Sequence, residues 1–300
     1  MYTFNSIEPE LHGCGSGSQW NTINLKHDLP PDATGIIFKV NTTPISGDKK
    51  MGFRKPGSGN INTGRLHGGE HQWGLVGVSD TRTIEVYGPA GGNLSFWVLG
   101  YTGRNVHFLD TVINLTPALP LVWQDVNVSP HIPAGAIPIF DLSYQGYAFK
   151  RYSVQPKGGA FKVWSATAHN WITISPDYAG IVQFYLDGVG PTRFQLLLTG
   201  YIDGGSTFHI DPLDRTPANL AVWDNVPITA LPDTTKWCVL ESGNANTAVL
   251  HGVRKKDSLR DDRYEAVGHS WVYAHTNPTP MVQIYRPTVD FVYWEYGATV

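Results

Sequence analysis

The strongest constraint in this chain is a motif that occurs three times without an internal gap. It consists of His-x-Trp, then ten residues, then a branched apolar residue, any residue, an apolar or aromatic residue and Tyr. The copies run from His71-Gln72-Trp73 to Ile84-Glu85-Val86-Tyr87, from His169-Asn170-Trp171 to Val182-Gln183-Phe184-Tyr185, and from His269-Ser270-Trp271 to Val282-Gln283-Ile284-Tyr285. The histidines at 71, 169 and 269 set periods of 98 and 100 residues, which marks one folding unit present in triplicate.

Other segments fall into the same register. Upstream lie Gln19-Trp20-Asn21-Thr22-Ile23, Val122-Trp123-Gln124-Asp125-Val126 and Val222-Trp223-Asp224-Asn225-Val226. Downstream lie Leu99-Gly100-Tyr101 and Thr199-Gly200-Tyr201, with the third copy departing to Tyr296-Gly297. The lead-in Thr207-Phe208-His209-Ile210-Asp211 is echoed near Thr3-Phe4, so the first residues belong to the first unit. Unit boundaries are expected near Gly103 and Gly204, giving 1–103, 104–204 and 205–300. Linkers this short restrict reorientation of neighbours.

With 32 Gly, 21 Pro and only 16% charged residues, long amphipathic helices have little to be built from. Period-two alternation in Ile84-Glu85-Val86-Tyr87 and Val182-Gln183-Phe184-Tyr185-Leu186 reads as strand, and Pro56-Gly57-Ser58-Gly59 and Gly88-Pro89 read as turns. About 100 residues of short strands is the profile of an antiparallel β-sandwich, jelly-roll or Ig-like. The expected fold class is therefore all-β, three tandem sandwiches, either stacked into a rod or closed into a pseudo-threefold triangle.

The chemistry is sparse. One histidine per motif, with no H-x-H or H-x-x-x-H spacing among the remaining histidines, does not make a zinc site. The expected role is structural: the imidazole donates to a backbone carbonyl while the indole fills the core. No nucleophile elbow, phosphate-binding loop or paired C-x-x-C is present. Acidic pairs such as Asp211 and Asp214, or Asp261 and Asp262, read as solvated loop carboxylates. No enzyme activity, cofactor or metal is expected. Cys14 reads as a free thiol open to solvent in a Gly/Ser stretch and Cys238 as a buried apolar residue. A net charge of −3 provides no nucleic-acid footprint, and no stretch has the length of a membrane span. The start lacks a signal-peptide pattern, so export through a cleaved signal is not expected.

The matched Trp20, Trp73, Trp123, Trp171, Trp223 and Trp271 are expected in the core. The unmatched Trp97, Trp164, Trp237 and Trp294 are candidates for surface contact, as is the aromatic cluster around Tyr293, Trp294 and Tyr296. The recurring tips Arg54-Lys55 and Arg254-Lys255 read as solvated hairpins or contacts to a neighbour. Candidate partner contacts are thus Arg54, Lys55, Arg254, Lys255, Tyr293, Trp294 and Tyr296.

The order of a Trp-containing strand, Pro31–Gly35 or Pro133–Ala136 before an apolar strand, Arg54-Lys55-Pro56-Gly57-Ser58, and closure on Leu99-Gly100-Tyr101 resembles the tandem β-sandwich repeats of phage and viral surface proteins. Similar repeats occur in some secreted bacterial wall-associated proteins. The resemblance spans the chain and implies a non-enzymatic virion structural protein assembled in the host cytoplasm, a decoration, cement, spike or fibre subunit. Its implied partners are a capsid or tail protein and further copies of itself, a trimer being favoured. The competing expectation is a multivalent glycan-binding or adhesive protein, with one weak site per unit and a cell-surface glycan as ligand.

Overall fold

The computed structural model describes residues 3–42, 49–66, 71–89, 94–144, 152–159, 169–186, 194–229, 236–243, 249–258, 263–266 and 269–300. Every regular element among them is a strand. The first unit has β1 (Phe4–Gly13), β2 (Gln19–Asn24), β3 (Gly35–Thr42), β4 (Lys49–Arg54), β5 (Gly64–Leu66), β6 (His71–Gly77), β7 (Thr83–Gly88) and β8 (Leu94–Thr102). The second has β9 (Val106–Asn114), β10 (Trp123–Asn127), β11 (Ile137–Tyr144), β12 (Tyr152–Pro156), β13 (His169–Thr173), β14 (Ile181–Leu186) and β15 (Phe194–Ile202). The third has β16 (Ser206–Asp214), β17 (Trp223–Pro227), β18 (Trp237–Gly243), β19 (Val249–Lys255), β20 (Arg263–Ala266), β21 (His269–His275), β22 (Met281–Tyr285) and β23 (Val292–Thr299).

The strand order decides between the two sandwich types. In the first unit the sheets run β1-β8-β3-β6 and β2-β7-β4-β5, and in the third β16-β23-β18-β21 and β17-β22-β19-β20. First pairs with last, second with seventh, third with sixth and fourth with fifth. That is a long hairpin rolled up, the jelly roll. The second unit repeats it with β13-β11-β15-β9 and β10-β14-β12. No sheet among the described residues mixes strands from different thirds of the chain.

Burial follows from this layering. The strands β7, β14 and β22 alternate between buried and half-buried residues, as expected of a sheet with one wet face. In contrast, β11, β13 and β18 are buried at every residue. The side of each sheet that carries the His-x-Trp strand is therefore covered on both faces, by its own core and by a neighbouring unit, while β1, β9 and β16 at the opposite edge keep exposed residues.

The repeated glycine near each C-terminal strand has a local cause. Pairing of β3 with β8 skips Leu99, pairing of β11 with β15 skips Thr199, and pairing of β18 with β23 skips Tyr296. Each skipped residue is a bulge, and the next residue is Gly100, Gly200 or Gly297. At each glycine an added Cβ would lie 2.3–2.7 Å from a carbonyl oxygen of the unit's first strand, that of Asn5, His107 or Thr207. Only glycine allows that approach. The third unit thus keeps the glycine and departs only in the residue after it.

Two expectations need correction. Cys14 is fully buried in the first unit's core, and burial drives its thiol pKa far up, so it is not an exposed thiol. Trp20, Trp123 and Trp223 are not core residues. Each lies half-buried on the outer sheet against the motif's terminal tyrosine: Trp20–Tyr87, Trp123–Tyr185 and Trp223–Tyr285 have ring centroids 5.6, 5.8 and 5.7 Å apart. Cross-strand pairing places them there, since these residues face one another in the register of β2 with β7, β10 with β14 and β17 with β22.

Candidate functional site: a pseudo-threefold junction

Residues at the same position of different repeats touch one another, which is geometrically possible only near an axis relating the units. The edge strands β6, β13 and β21 approach one another pairwise. Thr173 and Tyr273, each four residues beyond a motif histidine, join hydroxyls at 2.7 Å, and the Tyr273 hydroxyl also donates to the Trp171 carbonyl at 3.3 Å. A second level lies where the units begin. Gly103 N donates to Thr3 O, Asp203 N to Asn105 O and Val300 N to Gly205 O, at 2.9, 2.7 and 3.0 Å. Thr3 Oγ1 in turn reaches Gly204 O and Gly205 O at 3.4 and 3.3 Å, and Asn105 Nδ2 reaches Thr3 Oγ1 at 3.5 Å. The amides of Thr3 and Phe4 donate to Val300 O, so the two ends of the chain meet. Of the two arrangements, rod and triangle, this is the closed triangle.

The interface between first and second units is sealed by insertion. On β6, Gly74 leaves a gap where the third unit has Val272; a Cβ there would lie 2.6 Å from Trp171 Cδ2. The Trp171 indole fills that gap and joins the first unit's core, edge-on to Phe38 at 4.9 Å and to Phe53 at 5.8 Å. Behind it His169 stacks on Trp171 at 4.1 Å and its Nε2 meets Asp141 Oδ1 at 2.7 Å, both side chains wholly buried. Asn60 Nδ2 and Asn62 Nδ2 donate to the same carboxylate at 2.8 and 3.0 Å. The motif histidine was expected to bond a carbonyl; in this unit it bonds a carboxylate, and its tryptophan fills a neighbour's core. At the rim, Lys55 Nζ reaches Asp110 Oδ1 at 2.6 Å and the Phe108 carbonyl at 3.3 Å.

The interface between third and first units uses Phe4, whose ring lies 6.4 Å from Trp237 and 6.5 Å from Tyr273. Next to this contact a cleft of about 1080 Å³ opens between the two units, lined by Trp73, Trp97 and Lys39 on one side and by Trp237 and Arg254–Ser258 on the other.

The sequence-derived contact residues separate into four kinds. Arg54 and Arg254 stack over Trp20 and Trp223 at 4.1 and 4.0 Å and bond Glu85 and Gln283, so they brace their own sheets. Lys55 joins two units of the same chain, whereas Lys255 is exposed and borders the cleft. Tyr293 and Tyr296 are fully buried in the third unit, Tyr293 bonding the Tyr285 carbonyl and His251, and Tyr296 packing on Trp271; they are core, not contact surface. Trp294 is half-buried against the same core. Of the remaining unmatched tryptophans, Trp97 and Trp237 line the cleft, while Trp164, like Asp261 and Asp262, lies outside the described residues. The Asp141 cluster was not foreseen: Asn60, Asn62 and Asp141 have no shared sequence motif, and only the ring closure brings them together.

No protein-family model matches the chain, and no curated protein does. Among solved structures, the chain is similar to one described as "Life in the extremes: atomic structure of Sulfolobus Turreted Icosahedral Virus", at 11% identity over 93% of this chain and 81% of that one. The TM-score of 0.23 makes this a loose likeness.

Proposed function

We propose that this chain is a non-enzymatic structural protein of a virus-like particle, acting through protein–protein contacts as a capsid decoration, cement or surface subunit assembled in the host cytoplasm. The observation that carries the reading is the closure of three jelly rolls from one chain around a pseudo-threefold axis. Jelly rolls recur in shell-forming and lectin domains, and symmetric shells offer threefold positions that a three-unit chain fits without copies of itself. In this reading the intrachain triad replaces the homotrimer, and the outward sheets face a capsid or tail protein of the same particle. Fold by itself does not assign a role, so the test is direct. Particles purified from the source and analysed by mass spectrometry and negative stain should contain this chain at a fixed ratio to a shell or tail protein. Its absence from every particle overturns the reading.

A second reading, glycan binding by each unit, draws on the half-exposed Trp–Tyr pairs that recur on all three outer sheets. Against it, Arg54 and Arg254 cover the tryptophans of two units. A glycan array probed with the full chain separates the two readings, because three equal sites would give steep avidity on dense surfaces.

A further inference from the structure

The three units break their symmetry in a specific place. Between first and second units, Lys55 pairs with Asp110 and residual space amounts to about 10 Å³. The repeat-equivalent positions between third and first units are Lys255 and Glu8. Both border the cleft, and they form no ion pair with each other. Where the second unit places Asp141, opposite the motif tryptophan in the register of β11 with β13, the first unit places Lys39, opposite Trp73. The result is an opening at the upper end of the size range of small-molecule sites, where its counterpart is closed.

The lining has a definite chemistry. Five Lys or Arg residues border it against two carboxylates, Glu8 and Asp257, in a chain whose net charge is −3. Indole surface accompanies the charge. Lys39 Nζ lies 5.1 Å from the half-exposed Trp97 ring and 6.0 Å from Trp73. Trp237 also lines the cleft, and its indole N–H has no hydrogen-bond partner among the described residues. Lys255 and Lys256 point no charge at any acid among the described residues. Flat indole faces accept the C–H faces of sugar rings, and ammonium groups beside them accept a carboxylate. A strand of nucleic acid would call for an extended basic track, and a chain with a net charge of −3 does not supply one.

We propose that the cleft between the first and third units binds a carboxylated oligosaccharide, with the half-exposed Trp97 under a sugar ring and Lys39, Lys255 and Lys256 on the acid groups. The site occurs once per chain and does not depend on membership of a particle. His275, which burial and the nearby Lys255 and Lys236 ammonium groups push down to about 4, is neutral at physiological pH and lies at the rim with its ring 5.5 Å from that of Trp237.

Titration calorimetry on the full chain with trigalacturonate and 3′-sialyllactose, against lactose and pentaglutamate as controls, tests this. Saturable binding of at least one acidic sugar is expected, weakened by added salt and absent for lactose and pentaglutamate. Trp97→Ala and the double variant K255E/K256E should each weaken it by about tenfold or more, whereas Lys157→Glu, in the turn after β12 of the second unit, should leave it unchanged. Melting curves establish that each variant is folded, and the surface lysine variant decides if Trp97→Ala is not. Failure of both acidic sugars to saturate at millimolar concentration overturns the proposal. So does equal binding of pentaglutamate, which would make the cleft an acidic-peptide site, or unchanged binding by folded K255E/K256E.

Discussion

Trp171 fills a gap that the first unit leaves by placing Gly74 on the inner face of β6. Its indole is 1% exposed and packs edge-on against the stacked Phe38–Phe53 pair, so truncation opens a void that residues of two units line. Trp171→Ala should cost about 3–5 kcal/mol of unfolding free energy in a denaturant titration, as for large-to-small changes in a packed core. A loss below about 1 kcal/mol would mean that the indole is not inserted. A second residue-scale consequence concerns pH. His251 is fully buried, bonds the Tyr293 hydroxyl at 3.0 Å, and is pushed down to about 3 by its burial, with the nearby His71 acting in the same direction. In the unfolded chain its pKa returns to about 6.5. As pH falls from 6.5 the unfolded state takes up the proton first, so the stability this residue supports is complete above that value and is lost progressively down to about pH 3. The melting temperature should fall through that window, and His251→Leu should flatten the fall. An equally steep fall in the variant would assign the effect to other groups.

At the scale of elements, the bulge in the last strand of each unit explains a motif that sequence shows but does not interpret. Gly200 lies under the His107 carbonyl, so Gly200→Ala forces β9 away from β15 or distorts the bulge. The expected loss is about 1–3 kcal/mol, with the same sign at Gly100 and Gly297. A neutral alanine at any of the three would show that the strands separate at no cost. The strands and turns were legible because alternation and glycine placement are local. The same logic failed for Trp20, Trp123 and Trp223: a repeated tryptophan reads as core, yet cross-strand pairing with Tyr87, Tyr185 and Tyr285 keeps these on the wet face. It failed also for Cys14, whose Gly/Ser neighbours describe a turn while its amide bonds the Leu94 carbonyl and its side chain is buried in the first core.

At the scale of the molecule, the chain closes on itself. Thr3 meets Val300, the three motif strands converge, and the unit starts gather at a second level of the axis. Edge strands that would otherwise expose unpaired backbone are covered by the next unit, which removes a route to aggregation. Sequence offered rod and triangle as equals, because linkers of a few residues permit either and the contacts that choose lie between residues a full repeat apart. Lys55 and Lys255 illustrate the limit: near-identical in sequence, one closes an interface and the other borders an open cleft, according to what the neighbour places opposite.

Ring closure underlies both the particle reading and the single asymmetric cleft, and small-angle X-ray scattering of the full chain in solution tests it most directly. A closed triad of 300 residues should give a radius of gyration of about 20 Å with a compact distance distribution. A value of roughly 30 Å with an elongated distribution, as three such units in a row would give, would contradict the account.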